Sequence, residues 1–120
     1  TMAWDTEQYD SNAFHDPVTN NSRLTVPTGQ GGKYLIIACI EWQGSATGSR
    51  AVSILLNGVT TLTNVSHAPL SVVTDVTAVT IDNLVAGDYV QATCNQDSGG
   101  ALNANGGNRF NSYFAMARIA

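Results

Sequence analysis

The stretch KYLIIACIEW, from Lys33 to Trp42, is apolar on both faces of any strand it can form. Successive side chains of a strand point to opposite sides. Tyr34, Ile36, Ala38, Ile40 and Trp42 therefore share one face, and Leu35, Ile37 and Cys39 share the other. FNSYFAMARI, from Phe110 to Ile119, repeats the pattern, with Phe110, Phe114 and Met116 set against Tyr113, Ala115 and Ala117. A small antiparallel sandwich normally wets its outer faces and shows apolar and polar residues in alternation. Two strands that break this rule need a cover on their second face. In a chain of 120 residues without helical periodicity, that cover is expected to be another copy of the chain.

The rest of the sequence reads as strands and turns. No window keeps the 3, 4, 7 spacing of an amphipathic helix over three turns. Strands are expected over Ala3–Tyr9, Ser22–Val26, Lys33–Trp42, Ala51–Asn57, Val59–Val65, Val72–Ile81, Asp88–Asn95 and Phe110–Ile119. The sharpest local signal is SILLNGVTTL, where Asn57-Gly58 between two β-prone runs supplies the positive φ angles of a type I′ hairpin turn. Asp16-Pro17, Pro27-Thr28-Gly29, Gly44 to Ser49, Ala86-Gly87-Asp88 and Gln96 to Asn108 punctuate the remainder. The expected fold is a single all-β domain over residues 1–120, an antiparallel jelly-roll sandwich of about eight to ten strands.

Composition narrows the function classes. A chain of this length buries roughly two thirds of its unfolded surface and can hold a core without metal or disulfide support. Charged residues are only 12%, the formal net charge is -4, and the five Lys and Arg are scattered singly. Nothing here suits a phosphate backbone or an anionic bilayer, so neither nucleic acid nor membrane insertion is expected. No apolar run approaches the ~20 residues that a membrane span requires. Thr1-Met2 reads as an initiator methionine behind a tag remnant rather than as a cleaved signal. Cys39 and Cys94 lack metal-site or redox spacing and are expected to be free, buried thiols in different sheets, with a disulfide between them as the alternative.

Several segments together resemble a known family. GKYLII, the Asn57-Gly58 turn, LVAGDYVQA at Leu84 to Ala92 and the terminal SYFAMARIA are similar to characteristic stretches of the C1q and tumour-necrosis-factor superfamily. FHDPVTNNSRLTVPTGQGGKYLI, from Phe14 to Ile36, resembles the looped approach to that family's buried strand. The resemblance implies a ten-stranded jelly roll that forms a homotrimer, with one sheet at the threefold axis. It implies that Leu35, Ile37, Cys39, Tyr113, Ala115 and Ala117 face the axis, and that Tyr34, Ile36, Phe114 and Met116 face the core. The customary glycine of the closing strand is absent, and Arg118 interrupts its apolar end. The low charge, the abundance of Asn and Thr, and the opening W-D-T-E-x-Y-D resemble the versions found in bacteriophage virion proteins and bacterial surface proteins. The implied role is a non-enzymatic virion surface protein: a fibre tip, a receptor-binding knob or a capsid decoration. Its partners would be other virion proteins or a host-surface glycan or protein. The alternative is an extracellular or cell-surface bacterial adhesion or carbohydrate-binding module.

Catalytic and metal chemistry find little support. QDSGG at Gln96 to Gly100 is similar to the nucleophile stretch of chymotrypsin-like proteases, but a two-barrel protease needs about twice this chain. GQGGK before Tyr34 opens a strand, whereas a phosphate loop must open a helix. Asp5, Glu7, Asp10, Asn12 and Asp16 lack the EF-hand pattern and read as a solvated acidic rim. No catalytic residue, metal or cofactor is expected. The remaining candidates for ligand contact are Trp42, Arg50, Asn103, Asn105, Asn108 and Arg109, in and beside the loops Gly44–Arg50 and Asn95–Arg109. The plain alternative is that these loops only cap the sandwich.

Overall fold

The computed structural model describes residues 1–108 and 110–120. Its strands are β1 (Arg23–Thr25), β2 (Gly32–Trp42), β3 (Arg50–Leu56), β4 (Thr60–His67), β5 (Thr74–Leu84), β6 (Tyr89–Gln96), β7 (Ala104–Asn105) and β8 (Tyr113–Arg118). No helix forms among the described residues, and so none is long and apolar enough to cross a membrane.

Nested pairing defines the architecture. β3 pairs with β4, β2 with β5 and β1 with β6, each antiparallel. The chain from β1 to β6 is thus one long hairpin whose tip is the β3–β4 turn. Rolling this hairpin places the β2–β5 pair in one sheet and the other two pairs in the second. The sheets run β1-β6-β3-β4 and β5-β2-β7, with β8 also pairing β2. Among the described residues the result is a jelly-roll sandwich of eight antiparallel strands.

At the tip, Asn57 (φ 52°) and Gly58 (φ 75°) both adopt positive φ, and Val59 N donates to Leu56 O at 3.1 Å. This is the type I′ geometry, whose twist matches that of the flanking strands. The register slips between Ile54 and Leu55, a bulge close to the turn.

The core lies between the sheets. Tyr34, Ile36, Ala38, Ile40 and Trp42 of β2 and Val76, Ala78 and Leu84 of β5 meet Leu24, Val52, Ile54, Val90 and Ala92 of the other sheet. Full burial of a large aliphatic side chain contributes about 1.5–3 kcal/mol, so this layer dominates the stability. Phe114 and Met116 of β8 are half-buried against it, and Phe14 meets Tyr34 edge to face at 5.8 Å.

Seven of the expected strands form, within the end-fraying common to strands, and Ala3–Tyr9 does not. Among the described residues that segment makes one backbone bond, Trp4 N to Asn21 O, and Met2 N just before it bonds to Ala92 O, both at 2.9 Å. Met2 and Trp4 pack on the core, but beyond them the alternation carries no apolar side chain into the interior, and Asp5 and Glu7 are held by side chains instead. The eighth strand is β7, two residues inside a stretch expected to be loop. The last strand begins at Tyr113 rather than Phe110, because Asn111 N closes a turn onto Asn108 O at 3.1 Å.

Candidate functional site

The register places three apolar or neutral rows on the side of the β5–β2–β8 sheet away from the core. Ile81, Leu35 and Ala117 form the first row, Val79, Ile37 and Ala115 the second, and Thr77, Cys39 and Tyr113 the third. β5 contributes the most exposed aliphatic groups, with Ile81 59% and Val79 50% exposed. Tyr113 is 38% exposed, Ala115 and Ala117 are exposed, and Leu35 and Ile37 are half-buried. Cys39 is buried beneath the Asn111 carbonyl, with its Sγ at 3.9 Å. The six residues Leu35, Ile37, Cys39, Tyr113, Ala115 and Ala117 therefore lie on one continuous face. Val79 and Ile81 complete it and were not singled out from the sequence. Their signal was the alternation in TDVTAVTIDNL, which puts Thr77, Val79 and Ile81 opposite in direction to Val76 and Ala78.

A polar cluster closes one end of this face. Glu41 stands opposite Asp75 in the β2–β5 ladder, and its Oε1 accepts from Asn105 Nδ2 and Asn111 Nδ2, each at 3.0 Å. Ser112 Oγ accepts from Glu41 N at 3.0 Å and donates to Asn105 O at 2.7 Å. The two amide donors, Asn105 foremost, hold the Glu41 carboxyl below the ordinary glutamate range. Burial pushes the Tyr113 phenol up, and the neighbouring Cys39 and Asp75 add to this.

The ligand candidates separate into two environments. Trp42 and Arg50 are buried, at 3% and 1% exposure, and offer no surface to a ligand. The Arg50 guanidinium instead donates to the carbonyls of Thr47 (3.0 Å), Gly48 (2.8 Å) and Ser45 (2.6 Å), locking the loop before β3. Asn103 and Asn108 are exposed, while Asn105 is half-buried and engaged by Glu41. Gln43 N bonds to Asn103 O at 2.9 Å, which brings the two loops to the same end of the sandwich. Arg109 lies outside the described residues.

The other sequence candidates lie apart. The Ser98 hydroxyl faces Gln96 Oε1 and the Gly100 carbonyl, and His15 is engaged by Glu7 and Asn21. Among the described residues no group of three His, Cys, Asp or Glu side chains could hold a metal ion. Comparison with protein-family models and with curated proteins finds no match to this chain.

Proposed function

We propose that this domain is a non-enzymatic, self-associating surface module: a homotrimer assembled through the outward face of the β5–β2–β8 sheet and displayed on a bacteriophage virion. The observation that carries the self-association is the row structure of that face, with Val79, Ile81, Ala115 and Ala117 exposed and Leu35 and Ile37 half-buried between them. Apolar surface of this kind on one flat sheet marks an interaction site. Small side chains on β8 allow close approach of a second backbone, and closed symmetry limits the assembly.

The number three, the membership in the C1q and tumour-necrosis-factor superfamily and the virion setting rest on the resemblance of GKYLII, LVAGDYVQA and SYFAMARIA to that family. Polar loops at one end, bearing Asn103 and Asn108, are suited to contact a host glycan or protein. Mass spectrometry of purified particles, combined with glycan-array binding of the trimer, tests this reading. Recovery of the chain from particles in multiples of three supports it. Its absence from particles together with secretion by a bacterium replaces the virion role with that of an adhesion or carbohydrate-binding module.

A further inference from the structure

An open pocket of about 180 Å3 lies where the chain enters β1, and its lining includes Phe14, Asp16, Thr19, Asn20, Arg23 and Thr25. β1 supplies two of these by alternation: Leu24 points into the core, so Arg23 and Thr25 on either side of it point outward. The loop before β1 supplies the rest, and its own side chains fix its shape. The Asp10 carboxylate accepts from Phe14 N and His15 N, and Asp16 Oδ1 accepts from Val18 N and Thr19 N, each at 2.9 Å. His15 is held between Glu7 and the Asn21 carbonyl, and Arg23 N closes the turn onto Asn20 O at 3.2 Å. The pocket is therefore formed before any ligand arrives.

Two features set it apart. Of the three described non-glycine residues with positive φ, Asn57 belongs to the hairpin tip, and Ala13 (φ 57°) and Asn20 (φ 58°) both line this pocket. Left-handed backbone is costly for alanine, which has no side-chain hydrogen bond to offset it, and such conformations gather at binding sites. The second feature is Arg23, which is half-buried with its Cζ 4.5 Å from the centroid of the Tyr89 ring. Stacking fixes the guanidinium plane and leaves its in-plane N–H groups to other acceptors. Among the described residues the one ion pair is that of His15 with Glu7, so Arg23 and Asp16 line the same pocket without pairing.

We infer that this pocket binds one uncharged sugar ring, free or at the end of a glycan, with its hydroxyls between the Arg23 guanidinium and the Asp16 carboxylate. A guanidinium only donates and a carboxylate only accepts, whereas a hydroxyl does both and satisfies the two together. An anion would be repelled by Asp16 and a cation by Arg23, which selects a neutral ligand. The hydroxyls of Thr19 and Thr25 and the amide of Asn20 offer further donors and acceptors, and Ala13 and Phe14 offer an apolar patch to the C–H groups of the ring. The volume falls below the roughly 300–1,000 Å3 of pockets for drug-sized ligands, which limits the occupant to a single ring. No lining residue belongs to the loops bearing Asn103 and Asn108, and the inference rests neither on self-association nor on the virion setting.

Nuclear magnetic resonance titration of the nitrogen-labelled full chain tests it, with glucose, galactose, mannose and their methyl glycosides as probes and acetate as the charged comparison. At least one sugar should give saturable shifts at the amides of Thr19, Asn20 and Thr25, with a dissociation constant on the order of 1 mM. Binding of the methyl glycoside assigns the site to a glycan terminus, and binding of the free sugar alone assigns it to a free sugar; either supports the pocket. Arg23→Gln, and Asp16→Asn, which keeps the Oδ1 acceptor of its turn, should each weaken binding roughly tenfold or more, whereas Asn103→Ala should leave it unchanged. Amide shifts away from the pocket show that each variant keeps the fold, and the wild-type titration decides the question without them. No saturable shift with any sugar, shifts confined to Asn103 and Asn108, acetate binding as tight as that of the sugars, or undiminished binding in either pocket variant overturns the inference.

Discussion

Ile37 stands directly opposite Val79 in the β2–β5 ladder, and both side chains leave the sandwich on the side away from its core. Their immediate neighbours in sequence do the reverse: Ile36 and Ala78 are fully buried. Two adjacent strands thus spend apolar side chains on both faces, which a lone sandwich has no use for. The proposed assembly is argued from that geometry, and the loops, cysteines and carboxylates supply separate checks on the fold that presents it.

The hairpin tip sets the register of the jelly roll, so its backbone should be sensitive to a side chain. Gly58 has φ +75°, and an added Cβ would meet the Tyr89 hydroxyl at 3.3 Å. Gly58→Ala should cost about 1–2 kcal/mol, the penalty of left-handed backbone for a residue with a Cβ. Denaturant unfolding at fixed protein concentration reads it as a lowered midpoint with an unchanged slope. An unchanged midpoint would show that the turn relaxes without cost.

Arg50 is expected to act on stability and not on ligand binding. Replacing it by Leu leaves the carbonyls of Ser45, Thr47 and Gly48 without their charged donor. The loss should be about 2–3 kcal/mol, whereas Asn103→Ala on the exposed loop should stay within about 0.5 kcal/mol. The same unfolding measurement decides between them. A stable Arg50→Leu protein with lost ligand binding would return Arg50 to the role its sequence position suggested.

The order of these effects reflects what the sequence made legible. Asn57-Gly58 named its turn type because only a few residues tolerate two successive positive φ angles. The two faces of β2 and β8 were readable because strand periodicity is strictly two, and Tyr34, Ile36, Leu35 and Ile37 fall on the sides expected of them. Ala3–Tyr9 was misread because alternation without an apolar partner beyond Trp4 gives a segment no reason to join a ladder. Arg50 was misplaced for a different reason. Nothing local indicates that a guanidinium will turn inward when its own loop supplies three carbonyls. β7 is too short for any periodicity, and the Glu41 cluster joins residues more than sixty positions apart.

The two thiols should be reduced. Cys39 belongs to β2 and faces outward, whereas Cys94 belongs to β6 in the opposite sheet, paired beside Val52 and with Met2 Sδ at 3.1 Å. Alkylation in denaturant without reductant should add two groups by intact mass. In the native protein Cys94 should react slowly, since burial pushes its thiol up. No adduct under denaturing conditions would mean a bridge and a different sheet arrangement.

The Glu41 cluster should respond to acid alone. Its carboxyl is held low by Asn105 and Asn111, so the folded form binds its proton less readily than the unfolded chain. The contribution to stability is present above the ordinary glutamate range and is lost as pH falls through the lowered folded value. The side-chain amide signals of Asn105 and Asn111 should therefore stay constant from neutral pH down to about pH 5 and move together below the ordinary carboxylate range. Glu41→Gln should remove that transition. Movement at neutral pH would contradict the assignment.

Association state is the most direct test of the outward face. Light scattering of the wild-type chain at micromolar concentration should give a mass three times the 12.6 kDa of one copy. Ile37→Lys should give monomer or aggregate, because a lysine at that position would be stranded without a partner in a dry interface. A wild-type mass of a single copy, or an undisturbed oligomer in Ile37→Lys, would contradict the account.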